Sequence, residues 1–370
     1  MFGLFTKKPK PATLLTVRMT HAEQALQIKR GATLLDAVLQ QGVMVPFNCR
    51  VGACKTCQIR VLEGQPKSLI EREYVFGVEE IKQNYYLACQ TRVETDMLIE
   101  WHTMSTNSTT QKLPAQLYSI EAKTARIFRI SLRLSQAATW RAGQFAKLLP
   151  AGFAIEPRCY SMVNEAQQGD LMSFDITYYP GAAVSTWLVD TKNLGKTIQI
   201  EAPFGDFGQQ IYDPIRQETP LLCIAGGSGL GSISGIIRQA LQAKNSPQRP
   251  IVLVVGAREQ SELYEIAELR AMAAEAHSAL HLEVVLDREP NESNWRGRRG
   301  YIAEHLSDIL QELKQNHARF VGDTQSWQAL LCGPPPLVDS ALHCLQEMGM
   351  PRAQIGFDKY EQSVTNLVSN

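Results

Sequence analysis

Four cysteines constrain the first hundred residues of this chain more than any other feature. Cys49 and Cys54 bracket four residues, Cys54 and Cys57 bracket two, and Cys89 returns after 31 more. Three thiols so close together and a fourth so distant require a loop that folds back on itself and meets a segment arriving from elsewhere. C-x4-C-x2-C with a distant fourth cysteine is the spacing of a [2Fe–2S] ligand set, four thiolates around two irons. A four-cysteine zinc site and unligated thiols are the alternatives, but zinc ribbons and fingers show two tight pairs where this chain has one. Gly52 and Ala53 supply the small residues that such a loop needs. Cys159, Cys223 and Cys344 stand apart and are expected in hydrophobic cores.

At 370 residues the chain exceeds what one hydrophobic core usually supports, so two or three domains are expected. Its 37 basic and 37 acidic residues cancel, which removes any global field favouring nucleic acid or an anionic membrane. No stretch approaches the roughly 20 uninterrupted apolar residues of a bilayer span, and the apolar run within residues 1–12 is too short for a secretory segment. A soluble, cytoplasmic protein with reduced or metal-bound thiols is the expectation. Residues 102–113, HTMSTNSTTQKL, carry no hydrophobic period and are expected to form a linker.

Before that linker, Leu15, Val17 and Met19 alternate with polar neighbours, as do Leu26 and Ile28, which predicts a strand pair. GATLLDAVLQQG, 31–42, predicts a short helix closed by Gly42, and CQIRVLEG, 57–64, a strand and turn. From about 114 to 212, short alternating runs such as ARIFRISLRL, DLMSFDITYY and KTIQIEAPFG predict an antiparallel barrel. From about 215, the apolar runs PLLCIAGGSGLG, PIVLVVGARE, LHLEVVLD and QALLCGPPP alternate with helix-like stretches, the pattern of a doubly wound parallel sheet. Gly226, Gly227, Gly229 and Gly231 lie between the first of these strands and a helix, an arrangement that aims a helix N-terminus at a phosphate, although they do not satisfy G-x-G-x-x-G. Arg158-Cys159-Tyr160-Ser161 offers a phosphate partner, a ring-stacking face and a hydrogen bond, as a flavin requires; an ordinary strand would read the same way. LGKT at 194–197 is no P-loop, because Asp190 stands where the first glycine belongs.

Taken together, these motifs resemble a known family. PFNCRVGACKTCQIRVLEG with LACQT looks like the plant-type ferredoxin segment of bacterial oxygenase reductases. RCYSM resembles the R-x-Y-S flavin signature of the ferredoxin–NADP reductase superfamily, and LLCGPPP its C-G-P-P signature. GGSGLGS resembles its G-G-x-G-x-x-P turn with Ser232 in place of proline, serine being itself a helix-capping residue. APFGDFG, 202–208, resembles its closing G-P-F-G turn with Ala202 in place of glycine.

The resemblance spans essentially the whole chain and implies a multidomain α+β and α/β protein. Its parts would be a β-grasp ferredoxin domain at 1–101, a linker at 102–113, an antiparallel β-barrel FAD domain at 114–212 and a doubly wound NAD domain at 213–370. It implies a [2Fe–2S] cluster on Cys49, Cys54, Cys57 and Cys89, and FAD against Arg158, Tyr160 and Ser161. Gly181, Val184, Ser185 and Thr186 of PGAAVSTWL would lie beside the flavin pyrophosphate. The glycine turn would hold a dinucleotide whose nicotinamide meets Cys332 and Gly333. IGFDKYEQSV resembles the family's ending, so Asp358 and Tyr360 would approach the flavin, Tyr360 as an aromatic cover. Cys332, Ser161, Asp358 and Tyr360 are thus the candidate catalytic residues, Cys332 shaping hydride transfer without acting as a nucleophile. Arg258 and Glu262, in AREQSELYE, resemble the R-x-x-x-D/E-L-Y pattern of NADH-using members, which favours NADH over NADPH because a carboxylate accepts the ribose 2′-OH.

No 2-His-1-carboxylate set and no haem motif accompanies these signatures, so oxygen chemistry is expected in a separate protein. The resemblance then implies the reductase component of a mono- or dioxygenase, or of a desaturase, which docks its partner at the ferredoxin domain. A reductase serving a deoxysugar dehydratase shares the domain order, and a zinc-bearing module without redox turnover is the reading from another class. WRGRRG, 295–300, is expected to be a solvated loop rather than a nucleic-acid contact. His277 and His281 are expected as a surface pair at a helix end rather than as metal ligands.

Overall fold

The computed structural model describes residues 13–360 apart from 21–24, 42, 44, 46–51, 53–56, 102–110, 156, 206, 209–210, 212–218, 243–248, 276–278 and 321. Cys49, Cys54, Gly42, Ala53 and His277 therefore lie outside the described residues. The chain forms two compact units, Met1–Ser105 and Thr106–Asn370.

In the first unit the strands are β1 (Leu14–Met19), β2 (Leu26–Lys29), β3 (Gln58–Glu63), β4 (Lys67–Ser68), β5 (Tyr85–Leu87), β6 (Thr91–Arg92) and β7 (Met97–Trp101). Five of them make a mixed sheet in the order β2-β1-β7-β3-β5, in which β1 and β7 run parallel, while β4 and β6 pair separately. Alternate residues face one way along a strand, and here Val17, Met19, Leu26, Ile28, Ile59, Val61, Met97 and Ile99 all turn inward. Helix α1 (Leu34–Gln40) covers them with Leu34, Leu35, Ala37 and Val38.

The second unit begins with an antiparallel sheet. Its strands are β8 (Gln111–Ala122), β9 (Ile127–Trp140), β10 (Phe145–Pro150), β11 (Arg158–Ser161), β12 (Ala166–Thr177) and β13 (Thr197–Phe204), ordered β11-β10-β13-β8-β9-β12. The two edges meet again just past β11, where Met162 bridges Phe174 of β12. Leu117, Ile130, Leu132, Leu148, Phe174 and Ile198 fill the interior with Val184 and Leu188 of α2 (Ala183–Val189). Gln111 already pairs with Ala202, so residues 111–113 belong to this sheet and not to the linker expected there.

A parallel sheet follows, built from β14 (Leu221–Gly226), β15 (Ile251–Ala257), β16 (Leu280–Leu286), β17 (Arg298–Arg299), β18 (Gln328–Gly333) and β19 (Ile355–Lys359) in the order β17-β16-β15-β14-β18-β19. Every residue of β14 and β18 is buried, as both faces of such a sheet must be covered. Helices α3 (Gly229–Gln242) and α4 (Ile266–Glu275) contribute Ile233, Ile236, Ile237 and Leu269 to one core. Gly256 of β15 receives Ile302 of α5 (Ile302–Asn316) and Leu337 of α6 (Pro335–Glu347) together. Strand order reverses between β14 and β18, and in open α/β sheets ligands bind beyond the C-terminal strand ends at such a reversal.

Three expectations are corrected by this fold. His281 sits in β16, not on a helix, and its Nε2 lies 2.9 Å from Glu283 Oε1. WRGRRG is a solvated loop only in part: Arg296 and Gly297 are exposed, but Arg298 and Arg299 form β17, the Arg298 guanidinium donates to Glu312 at 2.6 Å, and that of Arg299 donates to Glu289 O, Ser293 Oγ and Trp295 O. Cys159 is exposed, because its strand β11 is a sheet edge, whereas Cys223 is fully buried and burial pushes its thiol up to about 12.

Candidate functional site

In the first unit, Cys57 immediately precedes β3 and Cys89 follows β5 by two residues. These strands pair through Gln58 and Leu87, and the Ala88 N–H donates to Cys57 O at 2.9 Å, which brings both cysteines to one end of the ladder. Each is buried. The Thr91 hydroxyl donates to Leu87 O at 2.7 Å and braces the turn that carries Cys89. Gly52, between Cys49 and Cys54 in sequence, has φ +87°, and a Cβ there would stand 3.0 Å from Gln90 Cγ and Ile70 Cδ1. Gly52 therefore lies against Gln90, the residue that follows the fourth cysteine.

In the second unit the candidate residues of two sheets converge. Cys332, the next-to-last residue of β18, is fully buried, with Sγ 3.0 Å from Tyr360 Oη. Tyr360 Oη lies 3.2 Å from Ser232 Oγ, and its N–H donates to Gly333 O at 3.1 Å. Ser161, ending β11 of the antiparallel sheet, donates to Asp358 Oδ2 at 2.7 Å. Burial first and the charge of Asp358 second push the Cys332 thiol well above its ordinary value. Burial, Cys332 and Asp358 do the same to Tyr360. The thiol is thus protonated and unreactive. Arg158 and Tyr160 pair with Leu148 and Ala146 of β10, where Lys147 lies 4.4 Å over the Phe204 ring and Phe145 stacks on Phe204 at 5.2 Å.

The glycine turn divides its labour. At Gly227, with φ +57°, a Cβ would meet nothing within 4 Å, and the same holds at Gly181, with φ +84°. Both expose backbone to open space, room that a phosphate can fill. The other glycines serve close packing: a Cβ would come within 2.5 Å of Leu337 Cδ1 at Gly226, 2.4 Å of Cys332 O at Gly229 and 2.0 Å of Asp175 Oδ2 at Gly231. Gly333, with φ +154°, would put a Cβ 3.0 Å from Gly226 O. Ser232 does not cap α3, being its fourth residue with a side chain turned to Tyr360. Of the segment expected at a pyrophosphate, Val184 and Ser185 are buried, Ser185 Oγ facing Ala182 O at 3.5 Å, while Gly181 and Thr186 are exposed.

Arg258 and Glu262 form an ion pair after β15, reinforced by the Arg258 N–H on Glu262 Oε2 at 3.2 Å. Burial pushes Glu262 up, but Arg258 outweighs it and holds the carboxyl below the ordinary range. Two polar residues beside this pair carry no motif in the sequence: Gln260 donates to Glu289 through N at 2.8 Å and through Nε2 at 2.6 Å. Among the described residues no helix is long and apolar enough to cross a membrane.

Residues 18–94 match a 2Fe-2S iron-sulfur cluster binding domain and residues 223–343 an oxidoreductase NAD-binding domain. The chain is 29% identical to the xylene/toluene monooxygenase electron transfer component of Pseudomonas putida, over 97% of this chain and 96% of that one. It is 27% identical to the anthranilate 1,2-dioxygenase electron transfer component of Acinetobacter baylyi, over 92% and 94%. Its fold is similar to that of an Amycolatopsis cytochrome P450 reductase, with a TM-score of 0.63 and 25% identity over 93% of this chain and 98% of that one. With an iron–sulfur cluster-binding domain ahead of an oxidoreductase NAD-binding domain, the chain is similar over nearly its whole length to electron-transfer components of oxygenase systems.

Proposed function

We propose that this protein moves hydride from NADH to FAD and sends the electrons singly through a [2Fe–2S] cluster on Cys49, Cys54, Cys57 and Cys89 to a separate oxygenase component. NADH gives up two electrons at once, a [2Fe–2S] cluster takes one, and a bound flavin reconciles the two. The convergence of Ser161, Asp358, Cys332 and Tyr360 where the parallel sheet reverses its order carries this reading. Ser161 and Asp358 would hold the flavin edge, Arg158 its phosphate and Tyr160 its ring. The neutral Cys332 would pack against the nicotinamide, and Tyr360 would shield the site from water until the nucleotide arrives. Gly227 and the first turn of α3 would take the dinucleotide phosphates, and Gly181 and Thr186 those of FAD. The domain order that goes with this is a β-grasp ferredoxin domain at 1–101, an antiparallel flavin barrel that begins with β8 at Gln111, closes through Met162 and Phe174 and runs to 212, and a nucleotide domain at 213–370. The electron acceptor would dock near the cysteine loop.

Nucleotide choice rests on Glu262. An ionised carboxylate there accepts a ribose hydroxyl and repels a 2′-phosphate. NADH should therefore reduce the flavin with kcat/KM at least about tenfold above NADPH, and Glu262→Gln should narrow that ratio by about tenfold, the equivalent of one like-charge contact of ~1.4 kcal/mol. Steady-state kinetics with each nucleotide measure both. A wild-type preference for NADPH would overturn the assignment of Glu262.

A further inference from the structure

Behind the glycine turn, a buried ionic network ties the antiparallel sheet to the parallel one, and its charged members, Arg129, Asp175, Arg238 and Glu265, hold no position of any motif. Arg129 of β9 faces its cross-strand partner Asp175 of β12 and donates to both carboxylate oxygens, at 2.7 and 2.8 Å. Its third donor reaches Glu265 Oε1 at 2.5 Å, at the start of α4. Arg238 and Ser234 of α3 donate to Glu265 Oε2, each at 3.0 Å. Glu265 has φ +57°, a conformation seldom adopted by residues with side chains, so its carboxylate anchors a strained position. Tyr264 donates to Asp175 Oδ2 at 2.9 Å and accepts the Gly231 N–H at 3.1 Å. The Thr177 hydroxyl donates to Ser228 Oγ at 3.0 Å, a second tie between β12 and the turn.

Burial opposes charge on Arg129, but Asp175 and Glu265 outweigh it and keep the guanidinium protonated. Burial likewise pushes Glu265 up, and Arg129 with Arg238 overcome it, holding the carboxyl below its ordinary range. Asp175 is pushed up by burial, with Arg129 pulling the other way. The bidentate geometry marks Asp175 as the ionised acceptor. The network ends beside the chemistry: Gly231, which hangs on Tyr264, is followed by Ser232, whose hydroxyl meets the Tyr360 that covers Cys332.

We propose that Arg129 is a positioning residue for hydride transfer: clamping Asp175 of one sheet to Glu265 of the other, it sets the distance between the flavin edge at Ser161 and the nicotinamide position at Cys332. The inference rests on the hydride-transfer reading above. Arg129 touches neither Cys332 nor Ser161 and acts through Asp175, Tyr264 and the first turn of α3. A misplacement of about 1 Å at a reacting pair costs about a hundredfold in rate, whereas nucleotide affinity, set largely at Arg258 and Glu262, should hardly change.

Arg129→Met, Arg129→Lys and Glu265→Gln, each loaded with flavin, would be mixed anaerobically with NADH in a stopped-flow spectrometer. The limiting rate of flavin bleaching should fall at least about thirtyfold, with NADH affinity within about threefold of wild type. The long-wavelength absorbance of nicotinamide stacked on flavin should weaken in parallel. Arg129→Lys separates charge from geometry, since a lysine restores the charge but not the three-pronged fork. It should recover flavin content and thermal stability while the rate stays low. An unchanged limiting rate in any variant that retains flavin, or loss of flavin from all three, would overturn the proposal. A wild-type protein that NADH does not reduce would instead sink the hydride-transfer reading itself.

Discussion

Replacing Cys89 with serine should remove the iron–sulfur absorbance and cut NADH-driven reduction of a one-electron acceptor protein by more than the ~10–100-fold typical of lost outer-shell contacts. The turn that presents Cys89 is braced by protein hydrogen bonds, the Ala88 N–H on Cys57 O and Thr91 on Leu87 O. The apoprotein should therefore keep this local structure, and the loss should trace to the missing thiolate. Flavin reduction by NADH, proposed for the second unit, should stay within about threefold of wild type, because the residues proposed for it have no part in the cluster site. Absorption spectra and iron analysis, read beside flavin bleaching, separate the two effects. Intact iron–sulfur absorbance in the variant would remove Cys89 from the ligand set.

Gly229→Ala should damage the nucleotide site more than its size suggests. The new Cβ would stand 2.4 Å from Cys332 O and 2.6 Å from its carbonyl carbon, atoms that β14 and β19 hold on either side. Backbone on both sides of the contact leaves no flexible side chain to yield. Overpacking of this kind costs about 1–3 kcal/mol, and the better helix propensity of alanine offsets at most ~1 kcal/mol. The start of α3 must then move away from Cys332 and carry Ser232 and the open Gly227 with it. A shift approaching 1 Å predicts a loss of about a hundredfold in kcat/KM for NADH, with a drop of a few degrees in Tm. Wild-type turnover in the variant would show that the glycine turn and Cys332 need not share their close approach.

Local patterns in the sequence carried the elements well. Alternation in LLTVRM and MLIEW marks half-buried strands, and continuous apolar runs in LLCIAG and QALLCG mark strands covered on both faces. What stayed hidden depends on residues distant in sequence. Arg129 meets Asp175 across 46 positions and Glu265 across 136, and in sequence each is an ordinary surface-like charge. The glycines read as a phosphate turn, yet only a structure shows that Gly226, Gly229 and Gly231 are small for packing and that Gly227 is the open one. Serine is a capping residue type, but the place of Ser232 one turn inside α3 sends its hydroxyl to Tyr360. Arg258 and Glu262 share one pattern in the sequence, but only the structure shows that they are ion-pair partners of each other.

The most direct test of the whole account is anaerobic stopped-flow mixing of the loaded wild-type protein with NADH, following the flavin and iron–sulfur bands together. The flavin band should bleach first and the cluster band should follow in a separate phase, which disappears in Cys89→Ser. Simultaneous bleaching that survives in Cys89→Ser, or a cluster band that falls before the flavin band, would contradict it.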